Sequence, residues 1–170
     1  MIPLRPFALA LLAVALAGCT AGRETPAPST VEILPAAAGL TPFTPEEALA
    51  AVNAYRLASG VAPLALDPRL VALAQEQAAR MAGADELSHT LGGSIGARLT
   101  RAGYGFLMAG ENIGAGYPDL GAVMAGWRAS PAHDAGLKDP EATAMGLAAA
   151  VNLESRFRVF WSLILARPRG

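Results

Sequence analysis

Hydrophobic positions along this chain switch between a helical period and a period of two, and the switches divide it into elements. Thr44-Pro45-Glu46-Glu47 opens the first periodic segment, which continues through Leu49, Val52 and Tyr55 to a stop near Gly60. Thr44 is a good N-cap, Pro45 suits the first helical position, and Glu47 completes a capping box. Asp67-Pro68 repeats the cap-then-proline signal. The stripe Leu70, Leu73, Ala74, Gln77, Met81 that follows has helical spacing. A short helix is expected from Ser94 to Ala102, stopped by Gly103, and another over Asp119–Ala129, ended by Pro131. Elsewhere the period shortens to two, once before the last of these helices and twice after it. Gly110–Gly116 reads as a short strand around Glu111 and Ile113. Ala144–Asn152 and Arg158–Ala166 read as two strands joined by a turn centred on Glu154-Ser155-Arg156. Helices first and an antiparallel hairpin last give an α+β chain with helices packed on a sheet.

The pattern before Thr44 is different. Arg5 precedes an uninterrupted apolar run, Phe7–Leu16, and small residues then lead to Cys19. The run is shorter than the about 20 residues a membrane span needs and has the layout of an export signal. Leu16-Ala17-Gly18-Cys19 resembles the lipobox of bacterial lipoproteins, in which the cysteine thiol is acylated and the chain is cut before it. A thiol suits that role because its thiolate is a strong nucleophile. Each buried methylene of the attached lipid contributes about 0.8 kcal/mol to anchoring. The expected organisation is therefore a leader over residues 1–18, a lipid-anchored Pro/Ala-rich tether over 19–43, and a folded domain over 44–168. Thr20, rather than Asp, follows the cysteine. By the same resemblance this favours the outer membrane in a Gram-negative envelope.

Composition narrows the function classes. The 170 residues carry 13 Lys and Arg against 14 Asp and Glu, a net charge of −1, so no basic footprint for nucleic acid exists. The single cysteine excludes an intramolecular disulfide, and an exported domain must then rest on its apolar core.

An ordered series of short motifs runs through the domain. Asn53-x-x-Arg56-x-x-x-Gly60-x-x-x-Leu64-x-x-Asp67 is followed by Ser88-His89, Gly110-Glu111-Asn112-Ile113, Trp127-x-x-Ser130-Pro131-x-His133 and Met145-Gly146. Over residues 44–167 this series resembles bacterial members of the CAP superfamily, named for cysteine-rich secretory proteins, antigen 5 and pathogenesis-related 1 proteins. The resemblance implies a three-layer α-β-α sandwich, with a small antiparallel sheet between helices and a surface cleft. In many members that cleft holds two histidines and two glutamates. Three of those positions carry over, as His89, Glu111 and His133, and Ser130 stands at the fourth.

The chain has only these two histidines. Two imidazoles and a carboxylate form a ligand set suited to zinc or another divalent metal with open coordination positions. Ser130, His133 and Glu111 also contain the residue types of a serine–histidine–acid hydrolase. The main expectation is a tethered binding module that presents this cleft to a small ligand, a metal ion or an envelope partner. A metal-assisted or serine-dependent hydrolase using His89, Glu111, Ser130 and His133 is the alternative. Trp127 and Trp161 are expected in the core or the cleft wall, and Asn53, Arg56 and Asn112 as makers of structural hydrogen bonds. Tyr104, Phe106 and Tyr117 are expected first as ordinary packing, with an aromatic rim that would grip an apolar ligand as the second reading.

Overall fold

A computed structural model describes residues 41–169. The leader, Cys19 and all but the end of the tether lie outside them. Five helices and four strands follow one another: α1 (Pro45–Ala58), β1 (Ala65–Leu66), α2 (Pro68–Ala84), α3 (Ile95–Arg101), β2 (Phe106–Ala115), α4 (Leu120–Ala129), α5 (Pro131–Leu137), β3 (Ala144–Val151) and β4 (Val159–Pro168). The strand order is β1-β3-β4-β2.

Period-two alternation in β3 and β4 separates the two faces of the sheet. Met145, Leu147, Ala149, Trp161, Leu163 and Leu165 share a core with Ala48 and Val52 of α1, Val123 and Trp127 of α4, and Leu137 of α5. Their neighbours Ala144, Ala148, Ile164 and Ala166 face Leu70 and Ala74 of α2 and Leu99 of α3. Helices thus cover both faces, which makes the expected three-layer α-β-α sandwich. Both strands are buried along nearly their whole length, as a sheet sandwiched between helices requires. Among the described residues, no helix is long and apolar enough to cross a membrane.

The helix starts follow the sequence signals. Thr44 and Glu47 exchange backbone and side-chain hydrogen bonds in a complete capping box, and Asp67 caps α2 by accepting from the Arg69 amide. Gly146 has a steric reason: a Cβ there would overlap the α2 backbone at Leu70 and Val71, so glycine allows α2 to lie directly on β3. Arg56 is fully buried and donates to the carbonyls of Ala62, Leu137, Asp139 and Ala142, which ties α1 to the segment entering β3. Asn53 does the same for Leu64, through both its backbone N–H and its carbonyl.

Three expectations change. The sheet is mixed rather than antiparallel, because Ala65 and Leu66 pair in parallel with Ala144 and Met145. Two residues are too few to show a period. The strand around Glu111 begins four residues before the expected Gly110, at Phe106, and a register shift between Phe106 and Met108 obscures its alternation. Pro131 ends α4 as expected, but it also starts α5, since proline fits the first turn of a helix. His133 therefore sits on a helix, not in a loop.

Candidate functional site

β2 lies at one end of the sheet and organises the site from both of its faces. Glu111 points to the α2–α3 side with Ile113, and Asn112 points to the α4–α5 side. The Glu111 side chain is 2% exposed, and both carboxylate oxygens are engaged. Oε1 accepts from Arg98 Nη2 at 2.6 Å, with the Ser162 hydroxyl at 3.4 Å, and Oε2 lies 3.0 Å from His89 Nδ1. Arg98 comes from α3, and its Nε donates to the Gly93 carbonyl.

His89 stands on the loop between α2 and α3. That loop leaves α2 through Asp85 in the left-handed conformation (φ 51°). Gln77 Nε2 then holds it by donating to the Ser88 carbonyl at 2.8 Å. The result is a half-exposed imidazole whose Nδ1 is fixed by a buried carboxylate, while Nε2 is left as its second nitrogen.

His133 arrives from the other side of β2. Asn112 Nδ2 donates to the His133 carbonyl at 2.9 Å, which seats the first turn of α5 against the strand. Gly136 permits this approach, because a Cβ there would come within 2.8 Å of Asn112 Oδ1. His133 Nδ1 pairs with Ser130 Oγ at 2.9 Å. Burial lowers the His133 pKa from its ordinary value of 6.5, and the nearby charge of His89 lowers it further. The ring is therefore neutral at pH 7.

The sequence-derived residues meet this geometry unevenly. His89 and Glu111 are bonded to each other, and His133 lies within electrostatic reach of His89. Glu111 does not orient His133; it holds His89 and Arg98, so the serine–histidine–acid order does not assemble. Ser130 is also the shared boundary of α4 and α5, and its backbone carbonyl accepts from Asp134 N. A metal does not fit the three side chains as they are placed. The Arg98 guanidinium occupies the carboxylate that would be the anionic ligand. Among the described residues, no group of three or more His, Cys, Asp and Glu side chains could hold a metal ion.

Tyr104, Phe106 and Tyr117 take the packing reading and form no rim. Tyr104 is 4% exposed and donates to Asp67 Oδ2, while Phe106 and Tyr117 pack against the two cores. Trp127 and Trp161 are buried, as expected, and each indole N–H is satisfied by a carbonyl, of Ile113 and Tyr117 respectively. Sequence reasoning missed Arg98, Gln77 and Ser162 as supports of the site. The signal for two of them was present: Gln77 interrupts the apolar stripe of α2, and Ser162 interrupts the apolar run of β4.

Residues 49–165 match the family model described as the cysteine-rich secretory protein family, CAP. No functionally curated protein matches the sequence significantly. Solved structures do. An extracellular protein containing a SCP domain from Bacillus anthracis is 26% identical with a TM-score of 0.64, and the match covers 75% of this chain and 45% of that one. An outer surface protein from Borrelia burgdorferi is 18% identical with a TM-score of 0.66, over 75% of this chain and 97% of that one. A cysteine-rich secretory protein from Staphylococcus aureus is 18% identical with a TM-score of 0.59, over 72% and 38%. The sandwich, the ordered motifs and the family match together place this chain in the CAP, or cysteine-rich secretory protein, family.

Proposed function

We propose that this domain is an extracytoplasmic binding module, held at the cell envelope by a lipid on Cys19, which presents His89, Glu111 and His133 to a small ligand or an envelope partner. The observation that carries this reading is the saturation of Glu111. Its carboxylate is ion-paired to Arg98 and bonded to His89, so both oxygens are already engaged within the protein and neither is turned over to a substrate. It acts instead as a buried post that sets the orientation of an exposed imidazole. With a neutral His133 nearby, the site offers hydrogen-bonding nitrogens in fixed positions, which suits recognition. The name of the Bacillus anthracis relative, an extracellular protein, supports placement outside the cytoplasm. The leader-like run and the lipobox resemblance support the anchor.

One contact favours hydrolysis as a second reading: Ser130 Oγ lies 2.9 Å from His133 Nδ1. A neutral imidazole there could take the hydroxyl proton. No acid orients that ring through Glu111, so the dyad lacks the third group of a triad.

The test is to compare the protein with a His89→Ala, His133→Ala double variant, using ligands extracted with the protein from its native membrane and a broad panel of hydrolase substrates. The binding reading expects retained ligand to disappear in the variant, with no turnover by either protein. Turnover that is lost in Ser130→Ala would replace it with the hydrolase.

A further inference from the structure

Three arginines from two helices converge on one turn. Gly92 and Gly93, in the loop entering α3, both have left-handed backbone, with φ of 75° and 103°. Arg98 Nε donates to the Gly93 carbonyl at 3.2 Å, and Arg101 Nη1 donates to the Gly92 carbonyl at 3.0 Å. Arg80 arrives from α2. Its guanidinium packs so closely on Gly92 that a Cβ there would lie 3.1 Å from both Nε and Nη1. Between α2 and α3 the three arginines line a cavity of about 190 Å³, together with Glu76, Leu73 and Ala102.

The positive charge around this cavity is only partly balanced. A guanidinium has five N–H donors, and these three leave many of theirs unused. Arg98 directs its ion pair away from the cavity, to Glu111, and its side chain is 6% exposed. Its Nη1 is buried and has no hydrogen-bond partner among the described residues. Buried donors are seldom left unpaired, so this one calls for a partner. Arg80 meets Glu76 at 3.4 Å, beyond the usual length of such a bond, and both side chains are largely in water. Arg101 makes no ion pair among the described residues.

We propose that this cavity is a phosphate-binding site, in which Arg80, Arg98 and Arg101 hold a phosphate monoester group. One guanidinium satisfies both oxygens of a carboxylate, so three converging guanidiniums exceed what a carboxylate can use. A phosphate monoester presents three acceptor oxygens and nearly two negative charges. A cavity of about 190 Å³ is smaller than the roughly 300 Å³ at which pockets for drug-sized ligands begin. It accepts one oxyanion group, and the rest of the molecule extends past the exposed Arg80 and Arg101. Arg98 forms the floor and is the one residue shared with the Glu111 cleft. The site therefore goes beyond the binding reading above and does not rest on it.

The experiment uses the 15N-labelled full-length chain in micelles of an uncharged detergent, titrated with inorganic phosphate at fixed ionic strength. Saturable shifts are expected at the Gly92 and Gly93 amides and at Arg98 Nε, with millimolar affinity. Arg80→Gln combined with Arg101→Gln should weaken binding about tenfold or more, as expected for the loss of hydrogen bonds from charged donors. Glu76→Gln removes the competing carboxylate and should tighten binding a few-fold, a readout that survives if the arginine variant fails to fold. Acetate should bind at least tenfold more weakly than phosphate. Glycerol 3-phosphate and phosphatidate then distinguish the source of the group. Tighter binding of phosphatidate assigns a lipid headgroup and equal binding assigns a soluble phosphate, and both uphold the site. The same shifts with sodium chloride or acetate at the same concentrations reduce the cluster to general charge screening and overturn the proposal. Unchanged phosphate affinity in both the arginine and the Glu76 variants also overturns it.

Discussion

Replacing Glu111 with glutamine keeps the size of the side chain and removes its charge, which isolates the ion pair with Arg98. The two side chains are 2% and 6% exposed and 2.6 Å apart, so neither charge has bulk water to fall back on. Removing one partner of a buried pair costs about 3–5 kcal/mol, mainly because the other charge is left uncompensated. Glutamine retains an acceptor for Arg98, so the lower end, about 3 kcal/mol, is expected for Glu111→Gln. Arg98→Met strands the carboxylate in the same way and should cost a similar amount, offset in part by the His89 hydrogen bond that the carboxylate keeps. The double variant Arg98→Met, Glu111→Met buries no charge and should lie within about 1.5 kcal/mol of the parent, since apolar replacement of a buried pair is often near neutral. Urea unfolding at pH 7 reads these differences through the fluorescence of the buried Trp127 and Trp161. In a double-mutant cycle the singles should sum to well over the double. A Glu111→Gln variant within about 1 kcal/mol of the parent would refute the reasoning, because the pair would then be solvated in practice. Additive single variants would refute it equally.

Other outcomes follow from the same geometry. Gly146→Ala should destabilise by about 3 kcal/mol or more, because its Cβ meets helix backbone that cannot rotate away; thermal unfolding of the variant checks it. The lowered pKa of His133 means that the unfolded chain binds the proton more readily than the fold does. Stability should therefore decline as pH falls below the ordinary value of 6.5 and level off below the folded pKa; His133→Asn should flatten that part of a stability–pH curve. Asp134 has a lowered pKa, first through its hydrogen bond to Lys138 and then through that from Tyr55. Its contribution is lost in a separate, more acid window below the usual carboxylate value of 3.8, which His133→Asn leaves in place. Cys19→Ser should move the protein from the membrane to the soluble fraction, and unchanged fractionation would defeat the lipid anchor.

How much was legible depended on whether a feature was local. Caps such as Thr44 with Glu47, and Asp67 with Pro68, are chemistry between residues a few positions apart, and they marked their helices correctly. The alternation of β4 is equally local. The site was legible only as an ordered set of motifs. Nothing in the spacing of His89, Glu111 and His133 brings them together, because the register of β2 on β4 and the seating of α5 decide that. Arg98 shows the limit most clearly. An arginine in a short helix looks like a solvated charge, and only the packing of α3 against β2 turns it into the counter-ion that occupies Glu111. The two-residue strand β1 was invisible because its pairing with β3 is defined by the partner and not by its own sequence.

The placement of Glu111 and Asn112 on opposite faces of one strand has a consequence for altering this protein. One residue governs His89 and the next governs His133, so a single insertion or deletion within β2 would exchange their directions. The carboxylate would turn toward α5 and the amide toward Arg98. The length of this strand is therefore fixed by the two faces it serves. Anyone grafting the pair of imidazoles onto another scaffold must carry over an unbroken stretch of β2 with its phase intact, rather than the two histidines themselves.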